Sequence, residues 1–119
     1  MATNYERGRA LEYRAITALR ANGYYAIRSA GSKGAVDVCA IKPGQVLFIQ
    51  CKKQKKAFAT ADWNILLWAA RDSGALPVLA EADHGGPVRW WLLTGPKRPR
   101  QRTALPCEPF LIDLPGLEP

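Results

Sequence analysis

Leu11, Ala15, Ala18 and Leu19 recur at the i, i+4, i+7, i+8 spacing of one helix face. Asn4 can cap the start of this helix and Gly23 supplies a left-handed stop, so the pattern predicts a helix from about Asn4 to Asn22. Glu12 lies beside its apolar stripe. Tyr24 to Arg28 then reads as a strand, and SAGSKGA, small and glycine-rich, as a loop. Val36 to Ile41 forms a second strand, Lys42-Pro43-Gly44-Gln45 a turn, and Val46 to Lys52 a third strand, which together predict a hairpin. The run Lys53-Gln54-Lys55-Lys56 leaves the sheet. Thr60 then caps a helix through Ser73, with Asp62 in its first turn and Gly74 as terminator. Its apolar positions, Trp63, Ile65 to Ala70, are too broad a face for one contact surface. Leu76 to Ala80 follows as a strand, Asp83 to Pro87 as a turn and Val88 to Thr94 as a last strand before a short extended tail. The order α-β-β-β-α-β-β, with a strand regained after a helical crossover, predicts an α/β fold: a mixed central sheet flanked by helices.

Composition narrows the class. At 119 residues the chain has the size of a single domain, and 48% hydrophobic residues with eleven aromatics exclude a disordered basic tail. Seventeen Lys and Arg against ten Asp and Glu give +7, which favours a polyanionic partner. The excess is uneven: residues 1–60 carry eleven basic and three acidic side chains, residues 61–119 six and seven. The basic half is therefore expected to face the polyanion. Cys39, Cys51 and Cys107 lack any CxxC or Cys/His spacing, and with His84 the only histidine neither a disulfide framework nor a zinc site is supported. No apolar run reaches the length of a bilayer span and the N-terminal stretch is charged, so a soluble, cytoplasmic protein with no membrane partner is expected.

Candidate chemistry gathers in the hairpin. Gln50 and Lys52, two residues apart on a strand, project to the same side. Pairing about Pro43-Gly44 sets residues whose numbers sum to about 87 opposite one another, which places Asp37 across from Gln50. Glu12 adds a second carboxylate if the first helix packs across the sheet. Oxygen ligands of this kind suit a hard divalent cation such as Mg²⁺, which polarises a phosphodiester and lowers the pKa of an attacking water. Lys52 can orient that water or stabilise negative charge building on phosphorus, and Ser32 in the preceding loop can touch the phosphate or the leaving oxygen.

The string GRALEYRAITALRANGYYAIRSAGSKGAVDV, followed by VLFIQCKKQKK, resembles the archaeal-type Holliday junction resolvases, a branch of the PD-(D/E)xK nuclease superfamily. The resemblance spans about residues 5–94 and implies a restriction-endonuclease-like fold. It also implies a Mg²⁺-dependent homodimer, Mn²⁺ being a possible substitute, that nicks two opposed strands of a four-way DNA junction without a small-molecule cofactor. In the family a helix glutamate, a loop arginine and serine, an aspartate and an ExK pair form the site. On this chain they fall at Glu12, Arg28, Ser32, Asp37, Gln50 and Lys52, with Glu12, Asp37 and Gln50 as the metal set. Gln50 departs from the family's glutamate: an amide carbonyl can ligate a cation, but the site loses one formal negative charge.

Each of these residues also has a plainer reading. A bare D…QxK string is ordinary hairpin polarity; Glu12, the Arg28–Ser32 loop and the element order shift the balance to a site. Arg28 and Lys33 beside that loop, and Lys53, Lys55 and Lys56 in the basic run, are then assigned to DNA backbone. Arg7, Arg9 and Arg14 are either surface charges of a helix or DNA contacts near Glu12. Trp63, Trp68, Trp90 and Trp91 are placed in the core or a subunit contact, Cys39 and Cys51 as small packed groups, and His84 as a structural or exposed turn residue. The segment 95–106 is a basic loop or arm of the single domain 1–119. Besides a junction-resolving enzyme, two readings stay open: a branched-DNA-binding protein that has lost catalysis through Gln50, and a related nuclease acting on flaps or nicked duplex.

Overall fold

The computed structural model describes residues 4–29, 34–83, 86–100 and 104–113, the side chains of residues 4–7 excepted. Ser32, Lys33, His84 and Arg102 therefore lie outside the described residues, as does the side chain of Arg7. The first helix, α1, spans Asn4–Ala21, and Gly23 at φ 87° ends it. Only a residue without a Cβ adopts that left-handed conformation without cost. Leu11, Ala15, Ile16 and Leu19 are buried along one face. Strand β1 covers Tyr25–Arg28, β2 Val38–Lys42 and β3 Gln45–Lys52, and a single 3-10 turn at Lys55–Ala57 leads to α2, Thr60–Asp72. Strand β4 covers Leu76–Glu81 and β5 Arg89–Leu93.

The hairpin register is the expected one, from Lys42↔Gln45 to Val38↔Ile49. Beyond β3 the chain crosses over through α2 and returns as β4, parallel to β3, with Ile49↔Val78 and Lys52↔Glu81 in register. β1, β2 and β5 pair antiparallel with their neighbours, giving a mixed sheet in sequential order. A parallel pair needs a crossover of this kind, because a tight turn can only return a strand antiparallel.

Each helix covers one face. Ala15, Ile16 and Leu19 of α1 pack on Ala26, Val38, Ala40, Leu47, Ile49, Val78 and Ala80. Trp63, Leu66 and Leu67 of α2 pack with Phe58, Leu79 and Leu93 on the other face. The alternation along β3 thus sends Leu47 and Ile49 to α1, and Phe48 and Gln50 to the α2 face.

Three details differ from expectation. A sixth strand, β6 at Cys107–Pro109, pairs antiparallel with β5. Three residues including a proline carry no period, so the pairing comes from the edge of β5 and not from local pattern. Thr60 is the first helical residue of α2, and Ala59 is its cap position without a side-chain hydrogen bond. The segment 95–97 is docked: Trp63 Nε1 donates to the Gly95 carbonyl at 3.0 Å and Asn64 exchanges two hydrogen bonds with the Lys97 backbone at 2.8 and 3.1 Å.

Trp63 is fully buried and also holds Gly95. Trp63→Ala is expected to cost about 3–5 kcal/mol of unfolding free energy, read from urea denaturation midpoints, with the loss greatest in the α2 layer by amide hydrogen exchange.

Candidate active site

Strand direction brings the candidate residues together. Arg28 ends β1, Asp37 immediately precedes β2, Gln50 and Lys52 end β3, and Glu81 ends β4, all at one end of the sheet. The ladder continues to Asp37: its N–H donates to the Ile49 carbonyl and its carbonyl accepts from the Ser29 N–H, both at 2.8 Å. Asp37 Oδ2 accepts the Cys51 N–H at 2.9 Å, which fixes the carboxylate against the strand that carries Gln50 and Lys52. α1 reaches the same end from the opposite face. Its Glu12 accepts a hydrogen bond from Arg28 Nε at 2.6 Å, a largely buried ion pair.

Asp37 is buried, and that burial raises its carboxyl above the ordinary value of 3.8. The Cys51 N–H opposes the shift, Glu12 adds to it by like-charge repulsion, and Lys52 and Arg28 pull the other way. A carboxylate whose charge is disfavoured by its surroundings is suited to a cation. Cys51 lies beside the same charges, and burial pushes its thiol well above the usual range, so it is a packed, inert thiol.

Gln50 is oriented by its neighbours. Its Nε2 donates to the carbonyls of Ala35 at 2.8 Å and Gly34 at 3.4 Å. Two acceptors can be met only by the NH₂ end, so the carbonyl oxygen is the end left for a cation. Among the described residues no three acidic, histidine or cysteine side chains form a metal-holding group. The oxygens at this end that could hold a cation are those of the Glu12 and Asp37 carboxylates and the Gln50 amide. These oxygens fit a hard cation such as Mg²⁺, at a lower charge than three acids would supply.

Lys52 extends along the α2 face, its Nζ 5.7 Å from the Phe58 ring centroid. Of the residues assigned to DNA, Arg9, Lys53 and Lys56 are exposed around this end. Arg28 is committed to Glu12 and lies 5.6 Å from the Tyr13 ring. Arg14 is half-buried and donates to the Gly86 carbonyl, which ties α1 to the β4–β5 connection. Lys55 sits over Trp91, 3.4 Å from the ring centroid.

Glu81 escapes sequence reasoning. It is buried and accepts the Lys55 N–H at 2.6 Å, the Trp91 Nε1–H at 3.0 Å and Arg89 Nε at 3.3 Å. It thereby anchors the basic run as it leaves β3. An acid closing the apolar strand LPVLAE is the signal that could have drawn notice. Tyr13 is the second such residue: a hydrogen bond and the charge of Arg9, aided by Arg28, lower its phenol below the ordinary range.

Residues 3–91 match the family model described as archaeal Holliday junction resolvase (Hjc). No curated protein matches the chain. Among solved structures it is similar to Hjc of Archaeoglobus fulgidus, described as a Holliday junction resolvase from an archaeal hyperthermophile. That likeness has 25% identity and a TM-score of 0.61, covering 71% of this chain and 70% of the other. The family match takes in both helices and strands β1 to β4, the elements that carry Glu12, Gln50 and Lys52 and flank Asp37, and the chain belongs to the archaeal Holliday junction resolvase family.

Proposed function

We propose that this chain is a structure-selective endonuclease that resolves four-way DNA junctions by metal-dependent phosphodiester hydrolysis, acting as a homodimer. One observation carries the reading: Glu12, Asp37, Gln50 and Lys52 meet at one end of a sheet in a chain of net charge +7. Asp37, Glu12 and the Gln50 carbonyl would hold Mg²⁺, or Mn²⁺ in its place. Bound there, the cation supplies charge neutralisation at the phosphate and a more acidic water. The chain's own groups do the rest. Lys52 places a positive charge beside Asp37 to stabilise the charge developing on phosphorus. Arg28 holds Glu12, and Ser32 keeps the phosphate-contacting role implied by the family resemblance. Arg9, Lys53 and Lys56 supply exposed charge for the arms, and with it a steep salt dependence of binding.

The dimer surface follows from what the helices leave bare. α2 exposes Ile65 and Trp68, and the β1–β2 hairpin exposes Tyr25, Ile27 and Ile41 on the face away from α1. A groove of about 740 Å³ lined by Tyr25, Ile41, Val46 and Gly74 links the hairpin to the end of α2. Apolar side chains this numerous on the surface of a small basic domain suit a second copy of the chain. Gln50 favours a second reading, a junction-binding protein of low turnover, because an amide in place of the family's glutamate leaves the cation one formal negative charge short.

Asp37→Asn is expected to abolish nicking of a synthetic junction in Mg²⁺ while leaving binding largely intact. Full nicking by this variant or by Lys52→Ala sinks the assignment. The same variant tests the burial of the charge. Because the folded carboxyl titrates above 3.8, the folded state keeps a proton that the unfolded chain releases, and stability falls as pH rises through that window. Removing the charge should therefore raise the melting temperature of the metal-free protein at pH 7, a gain that vanishes at acid pH.

Gln50→Glu sets a carboxylate against the Ala35 carbonyl. It is expected to cost the metal-free protein about 1–3 kcal/mol and to enlarge the thermal upshift produced by Mg²⁺. If the parent chain does not turn over and this variant does, the junction-binding reading is the correct one. Trp68→Asp should give a single-subunit mass by light scattering at micromolar concentration and uncouple the two nicks; an unchanged dimer mass removes this face from the interface.

A further inference from the structure

A second basic site stands beside the one described. A cavity of about 720 Å³ opens between the 3-10 turn, the start of α2 and residues Lys97, Arg100, Ala104, Leu105 and Cys107. Four cationic residues line it, Lys55, Lys56, Lys97 and Arg100, and no Asp or Glu does so among the described residues. Two of the ammonium groups are held in place. Lys97 Nζ donates to the carbonyls of Phe58 and, at 3.4 Å, Lys56, while Lys55 Nζ sits 3.4 Å from the Trp91 ring centroid. Lys56 and Arg100 are exposed and can close on a ligand.

The start of α2 adds a directional element. Thr60, its first residue, lines the cavity, and Ala59 at the cap position brings no side-chain oxygen to the first-turn N–H groups. Those groups and the positive end of the helix dipole complement an anion, and Asp62, the acid of the same turn, is exposed and lies outside the cavity lining. The volume far exceeds one phosphate group, and Phe58, Leu105 and Cys107 give the cavity an apolar wall. This pairing of cations with an apolar wall fits a phosphate carried on a sugar or base better than a bare inorganic anion. Phe58 also connects the two sites, since its ring centroid is 5.7 Å from Lys52 Nζ.

We propose that this cavity is a second phosphate subsite, which binds a backbone phosphate of a nucleic-acid strand adjacent to the phosphate presented to Asp37 and Lys52. The proposal rests on the reading that the chain engages DNA. A fixed second phosphate would set the path of the strand without reading its bases, as recognition by shape requires.

Thr60→Glu tests it, because a carboxylate in the first turn of a helix is compatible with the fold and occupies the cavity with a competing negative charge. The double variant K56A/R100A removes charge without adding any. Junction binding by the metal-free protein is followed as a function of salt concentration, with melting temperatures to confirm folding. Both variants should bind about tenfold or more weakly, with the slope of log K against log salt shallower by about one for each phosphate that is no longer neutralised. Unchanged affinity and slope in both folded variants overturn the subsite and leave the nuclease reading standing. If the parent itself binds no junction, the nuclease reading falls instead. The cavity is then decided by titrating inorganic phosphate against the Thr60 amide resonance: a saturable shift absent in Thr60→Glu upholds it, and no shift overturns it. Junctions with covalently closed arms separate the two sources of the phosphate. An effect of Thr60→Glu retained on closed arms assigns an internal phosphodiester, and one confined to open arms a terminal phosphate.

Discussion

The central position of β3 is the constraint on which the rest of the structure depends. It pairs antiparallel with β2 on one side and parallel with β4 on the other. The hairpin on the first side brings Asp37 to the end of β3, and the crossover on the second brings Glu81 level with Lys52. The crossover has a further consequence. Because α2 must run back from the end of β3 to the start of β4, its first turn lies near the end of the sheet that carries Asp37 and Lys52. Parallel pairing thus delivers a helix N-terminus to the region where a polyanion would arrive.

Charge in this region is arranged by opposition. The acids at this end of the sheet are scarce and buried, and each has a different partner: Glu12 has Arg28, Asp37 has a backbone N–H, and Glu81 has Lys55, Trp91 and Arg89. The exposed charge around them is mostly basic, which offsets the repulsion that carboxylates exert on an approaching polyanion. Burial raises the Asp37 carboxyl, and the neighbouring Glu12 is paired with the Arg28 guanidinium. Gln50 fits the same economy of charge. With no third acid, its amide can satisfy the Gly34 and Ala35 carbonyls, a task a carboxylate performs only when protonated or bridged by a cation.

Much of this was legible from the chain alone. Both helices, five strands, the glycine stops at Gly23 and Gly74 and the hairpin register follow from period, punctuation and the Pro43-Gly44 turn. The proximity of Asp37 and Gln50 is a local consequence of that register. Other features have no local signal. β6 is held by the open edge of β5, and Lys42, a turn residue by sequence, is buried with its ammonium 4.2 Å from the Tyr24 ring centroid. Arg14 and Lys97 look like free surface charge, yet one holds the β4–β5 connection and the other the start of α2.

The sequence by itself determined the two helices, five of the strands and the family, and it named the candidate site residues, because hydrophobic period and turn chemistry act over a few neighbouring residues. Only the tertiary structure decided which side chains are committed to partners and which are left for a ligand. Glu12 meeting Arg28, Glu81 gathering three donors and the four-cation cavity beside Phe58 join residues from 16 to dozens of positions apart. Their meeting is set by how two helices cover opposite faces of one sheet, and no local pattern records that packing.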